Sequence, residues 1–184
     1  MNLEKTLQQY NSEVQKALDV FIKKTKDYGT AWRVLRPSSL TDQLYIKASR
    51  IRSIQEKGAS KIEDPIDLEF VGIINYSIMA LIQLDNLDMS KLEMSVGEVT
   101  KLYDHYLNAT RELMINKNHD YGEAWRDMRV SSITDMILMK LLRVRKIEEN
   151  DGKTIISEGL DANYMDMINY AVFAMILLEE EKSK

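Results

Sequence analysis

Residues 27–54 read DYGTAWRVLRPSSLTDQLYIKASRIRSI, and residues 120–147 read DYGEAWRDMRVSSITDMILMKLLRVRKI. Laid on one another without a gap, 15 of the 28 positions are identical. The shared residues include Asp27/Asp120, Tyr28/Tyr121, Gly29/Gly122, Trp32/Trp125, Arg33/Arg126, Arg36/Arg129, Lys47/Lys140 and Arg50/Arg143. Many of these are polar or aromatic, whereas a repeat kept only for packing would mainly keep its apolar pattern. An internal duplication therefore organises the chain.

Outward from the two copies, the apolar pattern is helical. Leu3, Leu7, Tyr10, Val14, Leu18 and Phe21 form one stripe, which ends at Asp27-Tyr28-Gly29, where glycine suits a left-handed cap. The Trp32 region reads as a short helical turn. Ser39 or Thr41 is expected to cap the second helix, which runs to about Gly58. Asp64-Pro65 suits the start of a third helix reaching about Leu87. Ser95-Val-Gly-Glu98 has the spacing of a capping box and opens the fourth, in which Tyr103 matches Tyr10. The fifth is expected from about Thr134 to Asn150, and the sixth from about Asp161. The fold class is thus all-α: about six helices in two three-helix repeats, 1–87 and 96–184, joined by a connector at 88–95. Neither half buries its faces alone, so the two should pack as one domain about a pseudo-twofold.

Composition narrows the function. Of the 184 residues, 45% are apolar and 29% charged, and there is no cysteine, which excludes thiolate chemistry and disulfides. The first ten residues lack the apolar stretch of a signal peptide. The longest apolar run, Val71 to Leu84, is interrupted by Asn75 and Gln83, so no membrane span is expected, and a cytoplasmic location follows as an expectation. A net charge of −4 argues against binding a nucleic-acid polymer. Charge is nevertheless uneven. Trp32–Gly58 and Trp125–Ile147 each carry six basic residues against two acids, and an acidic stretch follows each. A small anion with a divalent cation would suit that order; mutual neutralisation across helices would suit it equally.

Lys47 and Arg50, like Lys140 and Arg143, are three apart and share a helix face, which is unfavourable unless something negative sits there. Phosphate oxygens are one partner; Asp42, Asp67 or their counterparts are the other. Arg36 and Arg129 are weaker candidates. Asp161, Asp166 and Asn169 lie on the sixth helix. A carboxylate such as Asp166 within an apolar helix needs a cation, either Lys140/Arg143 or a metal. With oxygen ligands that metal would be magnesium or manganese. The last helices of the copies also match after one inserted residue, as Asn75/Asn169 and Tyr76/Tyr170, but Gly72 stands where the second copy has Asp166. Tyr28/Tyr121 and Trp32/Trp125 suit either base stacking or core packing, and Asp27/Asp120 suit hydrogen bonds to the turn that follows.

The pattern K-x-x-D-Y-G-x-A-W, then S-x-T-D-x-x-x-x-K-x-x-R, then an Asp and Asn-Tyr on a long apolar helix, resembles the nucleotide modification associated domain 1 family. In this chain it runs from Lys24 to Tyr76 and again from Lys117 to Tyr170. The resemblance implies recognition or processing of nucleotides linked to modified DNA bases. More distantly, the basic helix and acid-bearing helix are similar to all-α nucleoside triphosphate pyrophosphatases of the MazG kind, which are magnesium enzymes. Asp166-x-x-Asn169 partly matches their E-x-x-D, while Lys140 and Arg143 stand where those enzymes carry E-E-x-x-E.

The expectation is therefore a nucleotide-handling protein. Asp27, Tyr28, Trp32, Arg36, Lys47, Arg50, Asp120, Tyr121, Trp125, Arg129, Lys140, Arg143 and Asn169 would contact the substrate. Asp161 and Asp166 would hold magnesium and carry catalysis. A non-catalytic helical module for a nucleotide or a protein partner is the alternative, and pairing of two chains into a homodimer stays open.

Overall fold

The structure is a computed structural model that describes residues 2–58, 65–85, 88 and 90–184. Six helices account for most of them: α1 (Leu3–Tyr28), α2 (Pro37–Lys57), α3 (Ile66–Asp85), α4 (Val96–Tyr121), α5 (Val130–Glu149) and α6 (Leu160–Lys182). The described residues contain no strand. Short 3-10 turns, Ala31–Val34 and Ala124–Asp127, join the first two helices of each copy and carry the tryptophans.

The capping chemistry explains most boundaries. Asn2 caps α1 by accepting from the Lys5 amide at 3.1 Å. Ser95 and Glu98 form the expected capping box at α4. Gly58 ends α2 in the left-handed conformation. Two starts differ from expectation. Helix α2 begins at Pro37, with Arg36 extended before it, and α5 begins at Val130 after an extended Arg129. Proline at the first helical position has its φ already set and no N–H to leave unpaired, so no serine cap is needed. Gly29 also departs from the expected left-handed cap: its φ is 64° but its ψ is −148°, a region in practice reserved for glycine, whereas Gly122 is left-handed as expected. The proposed cap at Asp64 and the end of the third helix at Leu87 lie outside the described residues.

Helices α3 and α6 are buried on most sides and pack on one another, α2 and α5 cover them, and α1 and α4 pack against both. Helix α3 is long and apolar enough to cross a bilayer by composition, but most of it is buried inside the fold, as a core helix would be.

The contacts between copies are reciprocal. Tyr10 of α1 donates to the Asn169 carbonyl oxygen at 2.8 Å, and Tyr103 of α4 donates to that of Asn75 at 2.8 Å. Within each copy, the Asn75 amide donates to the Ala17 carbonyl, and the Asn169 amide to that of Thr110, the counterpart of Ala17 93 positions on. Between α2 and α5, Arg145 pairs with Asp42 at 3.0 Å and Arg52 with Asp135 at 3.6 Å. Thr41 donates to Glu148, and Gln55 donates to Thr134. Each contact has its twin with the roles of the copies exchanged, as an isologous pairing requires. The arrangement is compatible with a pseudo-twofold between the repeats. Because the carbonyl oxygen of each buried asparagine accepts from a tyrosine of the opposite copy, separating the copies would leave both oxygens unpaired in apolar surroundings.

Candidate functional site

Each copy forms a pocket where its first helix, its 3-10 turn and the lysine of its second helix meet its third. The first, of about 600 Å³, is lined by Lys24, Tyr28, Trp32, Lys47, Gly72, Asn75 and Tyr76 among others. The second, of about 500 Å³, is lined by Lys117, Tyr121, Trp125, Lys140, Asp166, Asn169 and Tyr170 at the equivalent positions, with Arg143 and Glu158 at one side. Both volumes suit a small-molecule site. The sequence turned back on itself at the D-Y-G glycines brings lysine, tyrosine and tryptophan to one spot.

In the second pocket the electrostatics centre on Asp166. Its side chain is only 7% exposed, and its two oxygens accept from Lys117 and Lys140, each at 2.6 Å. Lys140 is similarly buried, while Lys117 is 41% exposed. Burial pushes the Lys117 ammonium down, but its hydrogen bond to Asp166, with the charges of Asp166 and Glu158, outweighs this and leaves it above the usual lysine value. Burial raises the Tyr170 hydroxyl, and Asp166 raises it further against the opposing pull of Lys117 and Arg143. Arg143 is exposed at the mouth and has no acid partner among the described residues. Trp125 is covered on both sides: Phe173 stacks on it at 4.2 Å and the Arg126 guanidinium lies 4.4 Å from the ring centre.

The first pocket is built differently. Glu69, one turn before Gly72, supplies the acid. It is bound tightly by Arg50 and approached by Lys47 at 3.5 Å. Without a side chain on Gly72, the Lys47 stem lies across that position: a β-carbon there would be 2.7 Å from Lys47 Cδ and Cε. The Lys47 ammonium is 5.7 Å from the Tyr76 ring centre. Lys24 is exposed and has no acid partner among the described residues. Trp32 is less enclosed than its twin, with a tilted contact to Phe21 at 6.3 Å. Arg33, the counterpart of Arg126, turns away to donate to Gln83 at 2.6 Å. The indole N–H of both tryptophans is shielded from solvent and finds no acceptor among the described residues.

Of the residues singled out from sequence, Tyr28, Trp32 and Lys47 line the first pocket, and Tyr121, Trp125, Lys140, Arg143, Asp166 and Asn169 the second. Tyr28 and Tyr121 are 73% and 76% exposed, so they stand at the rims and not in the core. Asp27 and Asp120 are exposed beside them; Asp120 faces His119. Arg36 and Arg129 are exposed helix-start residues outside either lining. Asn169, like Asn75, spends its carbonyl oxygen on a tyrosine of the opposite copy and its amide on the first helix of its own. The acids considered as partners for Lys47 and Arg50 lie elsewhere: Asp42 pairs with Arg145 and Asp67 with Lys182. Asp161 is exposed in the first turn of α6 and does not line the pocket that holds Asp166.

The two carboxylates do not form a protein-made magnesium site as they stand. Five positions apart on one helix, Asp161 and Asp166 face different directions, and both Asp166 oxygens already meet ammonium groups. No group of three or more carboxylate or histidine residues gathers among the described residues. Sequence reasoning did not select Lys24, Lys117, Glu69 or Asn75. Lys24 and Lys117 were legible as the first letter of the repeated K-x-x-D-Y-G. Glu69 had no counterpart to mark it, because its equivalent is Asn163.

Residues 24–84 and 117–178, most of the chain, match the family described as nucleotide modification associated domain 1. The chain belongs to this family. The two matched segments begin at Lys24 and Lys117, the paired lysines of the two pockets, so the family's defining region covers both sites and is present in tandem. No curated protein and no solved structure matches the chain.

Proposed function

We propose that this nucleotide modification associated domain 1 protein binds a nucleoside phosphate, its phosphate held by the pocket lysines and its base set against the rim tyrosine and the tryptophan. One observation carries the reading: equivalent positions of the two copies each gather two lysines, two tyrosines and a tryptophan around a cavity of nucleotide size. Ammonium groups and aromatic faces are the complementary chemistry for phosphate and base. The family's name associates it with nucleotide modification, which accords with that ligand.

The geometry favours binding over hydrolysis. A hydrolytic centre needs a group to activate water, and the buried carboxylates of the two pockets are both engaged, Asp166 by two lysines and Glu69 by Arg50 and Lys47. Magnesium-dependent cleavage of a triphosphate would require Asp166 to exchange those lysines for a metal carried in by the nucleotide's own phosphates.

Thermal unfolding against deoxy- and ribonucleoside mono- and triphosphates, with and without magnesium, tests the proposal. A ligand at a hundred times its dissociation constant adds about 2.7 kcal/mol. For a chain of this size, where 1 kcal/mol moves the midpoint by about 2–4 °C, that is a rise of about 5–11 °C. A rise with particular nucleotides, weakened by Lys47→Met or by Lys140→Met according to which pocket the ligand fills, is the expected result. No rise with any nucleotide would favour a helical interaction module. A rise that needs magnesium, accompanied by pyrophosphate release, would restore the hydrolytic reading.

A further inference from the structure

The two pockets differ in a way that assigns them different roles. In the second, the Asp166 carboxylate sits between Lys117 and Lys140 at 2.6 Å from each. It marks where an anion rests between this pair of lysines. In the first, the same two positions are Lys24 and Lys47, but the residue that would supply the carboxylate is Gly72. Among the described residues, the acid that meets Lys47 is Glu69, at 3.5 Å, and it is bound by Arg50, while Glu93 lies at the Gly29 side of the pocket.

We infer that Asp166 is a built-in occupant of the second pocket and that the first pocket, left open by Gly72, is the one that takes an external anion. This rests on the nucleotide reading above and narrows it to one site and one ligand class, a nucleoside monophosphate. Arg50 holds Glu69, and Lys24 and Lys47 line the cavity as its two ammonium groups, the complement of a phosphate monoester that carries a charge of about −2 near neutral pH. The Lys47 stem, now lying over Gly72, is the flexible end of a side chain and lifts as the phosphate enters. Trp32, whose twin is sandwiched between Phe173 and Arg126, keeps a face for the base, and Tyr28 closes the rim.

Isothermal titration of the full chain with deoxynucleoside 5′-monophosphates, and separately with inorganic phosphate, decides it. The wild type should bind one equivalent. Lys47→Met and Gly72→Asp should each weaken binding at least about tenfold, the latter by placing a carboxylate where the phosphate goes, since a charge-assisted contact is worth that much. The double variant Asn163→Glu with Asp166→Gly gives the second pocket the arrangement of the first and keeps its charge balance; it should bind two equivalents. Its thermal midpoint, with that of Gly72→Asp, shows that each is folded. Two equivalents in the wild type, or binding lost in Lys140→Met but kept in Lys47→Met, would overturn the assignment. Phosphate binding that Gly72→Asp removes, with no nucleotide binding, would uphold the anion site and sink the nucleotide reading. No binding of either would overturn both.

Discussion

Replacing Asp166 with asparagine should destabilise the protein by about 3 kcal/mol at pH 7. The side chain keeps its size, so the effect is electrostatic. Lys140 is 8% exposed and would be left as a buried ammonium without a counter-charge. Removing one partner of a buried pair costs about 3–5 kcal/mol. The lower end applies, because the second lysine, Lys117, is 41% exposed and can turn to water. At about 2–4 °C per kcal/mol the midpoint should fall by roughly 6–12 °C. The double variant Asp166→Asn with Lys140→Met removes the stranded charge and should recover most of the loss. There is also a pH signature. The Lys117 pKa is raised in the folded state, so its pairing contributes fully below the ordinary lysine value of about 10.4 and is lost as pH rises through the folded value. Wild-type stability should therefore fall in alkali more steeply than that of Asp166→Asn. Urea unfolding from pH 7 to 11 measures both effects. A neutral-pH loss below about 1 kcal/mol, or a double variant no better than the single, would refute the buried-charge argument.

Three other outcomes follow from the reciprocal contacts and the turns. Tyr10→Phe and Tyr103→Phe each remove the donor to a buried asparagine, and each should cost about 1–2 kcal/mol in urea unfolding while sparing ligand affinity. Glu148 accepts from Thr41 in the half-buried seam between α2 and α5, and burial raises its pKa despite that bond. A raised carboxylate pKa favours the protonated folded form, so this contribution is present below the usual value and lost as pH climbs through the folded one. Glu148→Gln, which copies the Gln55–Thr134 pairing, should thus gain on wild type between pH 4.5 and 7; an unchanged gap would exclude the effect. Gly29→Ala should lose about 2–3 kcal/mol, since its φ of 64° with ψ of −148° suits only glycine and a β-carbon would press on Glu93 at 2.8 Å. Gly122→Ala, in open left-handed space, should lose about 1 kcal/mol; equal losses in thermal melts would contradict that reading.

Much of the fold was legible because its signals are local. The duplication, the capping box at Ser95, the glycine ends and the apolar stripes depend on residues a few positions apart. The misplaced starts of α2 and α5 show where local signals compete. Thr41 and Thr134 look like caps, yet their hydroxyls are used one turn inside the helices to join α2 to α5. The reciprocal Tyr–Asn lock was visible only as two matching tyrosines and two matching asparagines; that each bonds across the copies depends on packing.

The site was legible in its parts and not in its balance. Lysine, tyrosine and tryptophan do converge, as their repetition suggested. Which acid meets which base was not readable, because Glu69 reaches Arg50 across helices while Asp42 and Asp67 face other partners. The exchange of Gly72 for Asp166 could be seen in the sequence, but its sense could not. A carboxylate on an apolar helix suits a metal or a lysine equally until its neighbours are known, and here Lys117, from a helix far away in sequence, completes the enclosure.

The most direct measurement is a crystal structure of the full chain with a deoxynucleoside monophosphate bound. The account predicts the phosphate between Lys24 and Lys47, over Gly72, with Lys47 lifted and Asp166 still between Lys117 and Lys140. A phosphate held instead by Lys117, Lys140 and Arg143, with Asp166 displaced, would contradict it.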